Sequence, residues 1–296
     1  MDFKPLSRGD IPWVRRMLRS HPFRTCDFTV GGIFMWRGYY KYEAAVEADT
    51  LFVKGVAVDD VARSVFLLPV GALPIDESIA RLREYCAGEG VDTVLSSVPE
   101  EALSVLIDAG ACSIEPQEDW SDYVYDASAL STFSGKKLAK KRNHLNRFAA
   151  DNPNAVFKRV DGEDLADIRT FYEELPLAGG KSAVAAYDRE QTFDVIDHAE
   201  EYGFEGGVLR VPNRGVVAFT FGEVVGDTLH VHVEKMAHDV VGSGETICHR
   251  YVAMMKSRYP KIAYVNRQDD SGDMGLRRAK LALHPQFLLH KYNVQF

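Results

Sequence analysis

The segment His-Val-His-Val-Glu-Lys, residues 230–235, sets two imidazoles and a carboxylate at alternate positions and ends on an ammonium group. Alternate residues of a β-strand share a face. His230, His232, Glu234 and Met236 are therefore expected on one side, with Leu229, Val231, Val233 and Lys235 on the other. Imidazole and carboxylate are ordinary ligands for zinc or iron. On one strand, however, they stand roughly 6–7 Å apart, so a metal needs another ligand from elsewhere, and no second His/Asp cluster stands out in the sequence. Proton transfer asks less, namely one well-placed group with a tuned pKa. Glu234 as general base, with His232 beside it and no metal, is set against a plain polar strand face.

Three other stretches carry chemistry. Residues 135–150, GKKLAKKRNHLNRFAA, place Lys136, Lys137, Lys140, Lys141, Arg142 and Arg147 on one helix, together with Asn143 and Asn146 and with no acid among them. Lysines in a first helical turn oppose the helix dipole, and a bound anion would offset that cost. A solvated charged face is the plainer alternative. Residues 239–246, DVVGSGET, follow the His/Glu strand and precede a helix; Gly242, Ser243 and Gly244 could turn backbone N–H groups toward a phosphate. Residues 266–280, NRQDDSGDMGLRRAK, combine Asn266, Asp269 and Asp270 with Arg267, Arg277 and Lys280. That mixture suits a substrate bearing both an amine and an anionic group, or else surface ion pairs at a capped helix start.

The elements that must position these groups read as two α/β (α+β) domains. FKPLSRGDIPWVRRML (3–18) and FKRVDGEDLADIRTFY (157–172) match at constant offset: Phe3, Lys4, Asp10, Val14 and Arg15 answer to Phe157, Lys158, Asp164, Ile168 and Arg169. An internal duplication follows. Each half continues with hairpin-like strands, the second with a Gly226-Asp227 turn, then helix, strand, helix and strand. The predicted result is a mixed, mostly antiparallel sheet flanked by helices in each half. The expected boundaries are 1–127 and 128–296, the latter opening with the lysine helix, capped by Ser134 and stopped at Asp151-Asn152-Pro153.

Composition narrows the function. With 296 residues, 46% hydrophobic and 26% charged, the chain can bury two ordinary cores. No apolar run reaches the roughly 18–20 residues of a membrane span, and the start MDFKPLSRGD has no secretory pattern, so a cytoplasmic location is expected. Cys26, Cys86, Cys112 and Cys248 are far apart and read as free thiols. A net charge of −8 excludes a general nucleic-acid coat and makes the lysine helix stand out.

DFTVGGIFMWRGYY (27–40), DWSDYVYDASALSTFSGKKLAKKRNHLNRF (119–148), GGVLRVPNRGVVAFTFGE (206–223), VEK (233–235) and NRQDDSGDMGLRRAKLALHPQFLLHKY (266–292) together resemble a bacterial family related to the C-terminal domain of phosphatidylglycerol lysyltransferase. That resemblance implies two GNAT-like acyltransferase domains in tandem. It implies aminoacyl transfer from charged tRNA to an amine or hydroxyl acceptor, which would be a small molecule, a peptide or a lipid headgroup. In this reading the lysine helix meets the tRNA acceptor end or another anion, through Lys136, Lys137, Lys140, Arg142, Asn143 and Asn146. Glu234, Asp269 and Asp270 bind or deprotonate the amine, with Lys235, Asn266, Arg267, Arg277 and Lys280 binding substrate. No tightly bound cofactor is expected; aminoacyl-tRNA or acetyl-CoA is a co-substrate. GNAT acetyltransferases usually show Arg/Gln-x-x-Gly-x-Gly/Ala at the coenzyme A pyrophosphate, whereas Asp239 stands at the first position here. An acyl-CoA-dependent N-acyltransferase and a non-catalytic anion- or RNA-end-binding module remain as alternatives.

Overall fold

The computed structural model describes residues 1–19, 21–176 and 183–296. It forms two compact units, Met1–Asp122 with Leu289–Phe296, and Tyr123–Leu288. Among the described residues, no helix is long and apolar enough to cross a membrane.

The chain of the first unit supplies strands β1 (Lys4–Pro5), β2 (Glu43–Glu47), β3 (Thr50–Val56), β4 (Ser64–Phe66), β5 (Val70–Gly71), β6 (Val94–Pro99) and β7 (Ser113–Pro116). Its helices are α1 (Ile11–Leu18), α2 (Val30–Phe34), α3 (Ile75–Glu89) and α4 (Leu103–Asp108). There follow β8 (Asp122–Asp126), α5 (Ala127–Thr132), α6 (Ala139–Asp151), β9 (Val156–Arg159), α7 (Leu165–Glu174) and α8 (Ala183–Tyr202). Next come β10 (Glu205–Val211), β11 (Gly215–Val225), β12 (Thr228–Met236), α9 (Ser243–Arg258) and β13 (Tyr264–Asn266). The chain ends with α10 (Met274–Leu281), β14 (Phe287–Leu289) and β15 (Lys291–Gln295).

The two sheets have matching strand orders, β1-β2-β3-β4-β6-β15-β7 and β9-β10-β11-β12-β13-β8-β14, with β5 paired beside β3 in the first. In both, the fourth and fifth strands run parallel and the fifth and sixth antiparallel. The duplicated turn before α1 and α7 is also shared. The Ser7 N–H donates to the Asp10 carboxylate at 2.8 Å and the Asp161 N–H to Asp164 at 3.1 Å.

One expectation is overturned. The boundary at 127/128 gives each half its own last strand, but β8 joins the second sheet beside β13, and β15 joins the first between β6 and β7. The halves have exchanged their final strands. Alternation and β-propensity mark a strand without saying which sheet it joins. In the first unit the start of β15 is fixed by the buried Lys291 ammonium, 2.7 Å from both Asp27 and Asp122.

The lysine helix is also shorter than expected. Phe133 and Gly135 take left-handed backbone conformations, φ 45° and 83°, so residues 135–138 bend and α6 begins at Ala139 without a Ser134 cap. The helix docks by its apolar residues: Leu138 and Phe148 are buried, and Leu145 packs against the core under α9. Burying a side chain such as Phe148 stabilises by roughly 1.5–3 kcal/mol.

Candidate active site

Among the described residues, strand β12 pairs with β13 over Thr228–His230, opposite Tyr264–Asn266, and runs on to Met236 without a partner on that side. The sheet is split there. Within the split lies a β-bulge: Phe221 of β11 faces Val233 and Gly222 faces Val231, leaving His232 as the extra residue. A Cβ at Gly222 would lie 2.3 Å from the His230 carbonyl oxygen, so only glycine fits beside the bulge.

An extra residue reverses the alternation beyond it. Leu229 and Val231 lie in the core under α9, and past the bulge it is Glu234 and Met236 that take this face. Met236 covers Gly244 of α9, and Glu234 meets Arg267, which also reaches Cys248 of α9. The opposite face carries His230 and His232, whose rings lie 6.2 Å apart. Phe204 stacks on His232 at 5.0 Å and on Tyr202 of α8 at 5.1 Å. Lys235 takes that face too, bonded to Asp188 of α8 at 2.6 Å. The expected sharing of one face by His230, His232 and Glu234 is therefore corrected. They form no ligand set, and His232 is on the wrong face to exchange a proton with Glu234.

Two consecutive residues leaving β13 bridge the split. Arg267 Nη2 donates to Glu234 Oε1 at 2.5 Å on the α9 face. Gln268 places its amide nitrogen 2.8 Å from His232 Nδ1 on the other face, and His232 Nε2 lies 2.9 Å from Glu223 Oε1. The Glu234 side chain is 7% exposed. Burial raises its carboxyl above the ordinary value, outweighing the opposite pull of Arg267. Among the described residues Arg267 alone bonds Glu234, through Oε1, leaving Oε2 for an acceptor. Burial also pushes the neighbouring Cys248 thiol up to about 12, which removes it as a nucleophile.

The rest of the 266–280 run fixes this bridge. Buried Asn266 accepts the Gln268 N–H at 2.7 Å. Lys280, expected to bind substrate, instead donates to the carbonyls of Arg267, Gln268 and Asp269, at 3.0 Å for Gln268. Asp270, expected to be catalytic, is 2% exposed. It accepts from Arg277 at 2.8 Å through both oxygens, from Tyr123 at 2.6 Å and from the Gly272 N–H at 3.0 Å. Burial alone would raise the Asp270 carboxyl; these donors hold it below its ordinary value. Its geometry is that of a loop anchor, and Arg277 is spent on it. Asp269 binds Ser271 at 2.9 Å. Lys235 sits under the Tyr172 ring at 5.8 Å, away from Glu234; burial pulls it down, but Asp188 raises it overall.

The Gly242-Ser243-Gly244 loop does start α9, with Gly242 at φ 82°. It is covered by α6. A Cβ at Gly242 would meet the His144 carbonyl oxygen at 2.3 Å and Phe148 Cβ at 2.9 Å. Ser243 donates its hydroxyl to the Ala237 carbonyl at 3.0 Å. The carboxylate in the first turn of α9 is Glu245, which meets Lys141 at 3.1 Å and His144 at 3.2 Å. Burial would raise the Glu245 carboxyl, but Lys141 chiefly holds it below its ordinary value. Asp239 pairs with Arg214. Lys136, Lys137, Lys140, Asn143 and Asn146 are exposed, whereas Arg142 turns inward to the carbonyls of Phe133 and Gly135 at 2.6 and 3.1 Å.

The family described as "Phosphatidylglycerol lysyltransferase, C-terminal" matches residues 19–295. The chain belongs to this family. Its two units repeat one strand order, and the fold is shared with solved structures. A conserved protein from Bacteroides thetaiotaomicron is 26% identical, with coverage of 100% of this chain and 99% of that one and a TM-score of 0.89. L-PGS from Bacillus licheniformis shares the fold at 15% identity, over 96% and 91% of the two chains, with a TM-score of 0.67. An uncharacterized protein of Mycoplasmoides gallisepticum is 24% identical over 183 residues, 60% of this chain. That match spans 57% of the Mycoplasmoides protein's length.

Within this phosphatidylglycerol lysyltransferase C-terminal fold, Gln268 is the bridging residue that sequence reasoning missed. Its only signal in the sequence was its position between Arg267 and Asp269 at a strand exit.

Proposed function

We propose that the protein transfers an aminoacyl group from charged tRNA to an amine or hydroxyl acceptor at the β12–β13 split. The acceptor N–H or O–H attacks the ester carbonyl and its proton passes to Glu234 Oε2. A C–N or C–O bond forms, the ester C–O bond to the terminal ribose breaks, and the ribose oxygen leaves as a hydroxyl carrying the proton that Glu234 received. A carboxyl raised by burial suits a base working near neutral pH. The family's description names lysyl transfer to phosphatidylglycerol, which supports an aminoacyl donor.

The observation that carries the choice of donor is α6 lying on the first turn of α9. A coenzyme A pyrophosphate at Gly242-Ser243-Gly244 would meet α6 and the Glu245 carboxylate. Meanwhile Lys136, Lys137 and Lys140 stand in solvent, where phosphates of an RNA end can reach them. Incubation with radiolabelled bulk aminoacyl-tRNA and a cell extract as acceptor source tests the reading. Label should pass from tRNA to an acceptor in a protein-dependent step, and Glu234→Gln should abolish the passage while tRNA still binds. Equal binding and phenotype in Glu234→Gln, with no transfer by either protein, would instead mean a non-catalytic RNA-end binder.

A further inference from the structure

Arg267 and Gln268 are adjacent, so they project to opposite faces, while their partners Glu234 and His232 are two residues apart and reach opposite faces only through the bulge at His232. The match ties both cross-bridges to one backbone segment. That segment is held by Lys280 at three carbonyls, by Asn266 at the Gln268 N–H and by the Tyr123 N–H at the Gln268 carbonyl, 3.1 Å away. Gln268 itself adopts φ 60°, a left-handed conformation that non-glycine residues take only under constraint.

We infer that Gln268 is a positioning residue of the active cleft: its amide fixes the His232 ring as the Nε2–H tautomer and so holds the segment at which Arg267 reaches Glu234. With the Gln268 amide nitrogen donating, Nδ1 accepts, and Nε2–H donates to Glu223. His232 is then a strut between β12 and the exit of β13. The titratable neighbours of the strut include Glu223 and His230; those of Glu234 include Arg267, Cys248, Glu245, Lys280, Tyr125 and Tyr251. The inference rests on reading the split as the active cleft, but its test needs no substrate.

Long-range proton–nitrogen NMR on histidine-labelled protein reads the tautomer, and carbon NMR of labelled glutamate reads the Glu234 titration. Wild-type His232 should show a protonated Nε2 and a bare Nδ1. In Gln268→Glu the new carboxylate can only accept, so a proton should appear on Nδ1, with the Glu234 midpoint unchanged because the strut persists. In Gln268→Met the Glu234 midpoint should rise as Arg267 loosens. A wild-type ring protonated on Nδ1 would overturn the inference even if a variant failed to fold. So would a Glu234 midpoint unmoved in Gln268→Met. Loss of aminoacyl transfer with these spectra as expected would leave the strut standing, and absence of transfer in wild type would count against the functional reading alone.

Discussion

Glu234 Oε1 and Arg267 Nη2 lie 2.5 Å apart across the gap where β12 and β13 part company, and the carboxyl is still raised by its burial. A base with one oxygen held and the other open is what the proposed chemistry needs. Removing the arginine leaves a buried charge without its counterion. Arg267→Met should cost about 3–5 kcal/mol of stability, read by urea unfolding.

The raised Glu234 carboxyl has a pH consequence of definite sign. A folded pKa above the unfolded one means that the native state keeps the proton longer as pH rises. Below the unfolded value both states are protonated and no penalty exists; above the folded value the penalty is complete. The stability of Glu234→Gln relative to wild type should therefore rise with pH across that window. Unfolding curves between pH 4 and 8 check it, and a flat difference would contradict the raised carboxyl.

Asp270 has the opposite sign. Its carboxyl is held low by Arg277, Tyr123 and the Gly272 N–H, so its stabilisation is present above the unfolded pKa and is lost as pH falls through the folded one. Wild type should exceed Asp270→Asn in stability at pH 7, with the gap closing toward pH 3. Unfolding midpoints at the two pH values measure this.

Gly242→Ala should push α6 off the first turn of α9, because the new methyl group meets the His144 carbonyl at 2.3 Å in a backbone conformation of φ 82°. The expected cost is about 2 kcal/mol. Hydrogen exchange should quicken in residues 139–151 before other parts of the second unit.

The sequence already carried the duplicated strand-turn-helix entries and the hairpins. Two features were not legible. The bulge at His232 leaves no mark in a strand whose residues alternate cleanly, because it depends on a glycine, Gly222, in the partner strand. Every face assignment beyond it was inverted. The exchange of β8 and β15 was hidden for a related reason, since strand pairing is a property of two segments and pattern is a property of one. Lys280 and Arg277 read as substrate cations because charge in a run shows nothing of the carbonyls and carboxylate that will face it after folding.

Lys136→Ala with Lys140→Ala removes two exposed cations and no packing contact. Melting temperature should be unchanged, while the slope of log affinity against log salt for tRNA should fall by about 1.5. Filter binding at several salt concentrations measures it.

The most direct test of the account is the melting temperature of the protein with charged tRNA, uncharged tRNA or acetyl-CoA, since a ligand that binds only the folded state raises it. The account predicts a salt-sensitive rise with tRNA, larger when the tRNA is charged, and none with acetyl-CoA. A rise with acetyl-CoA alone would contradict it, showing that α6 leaves the first turn of α9 open to pyrophosphate.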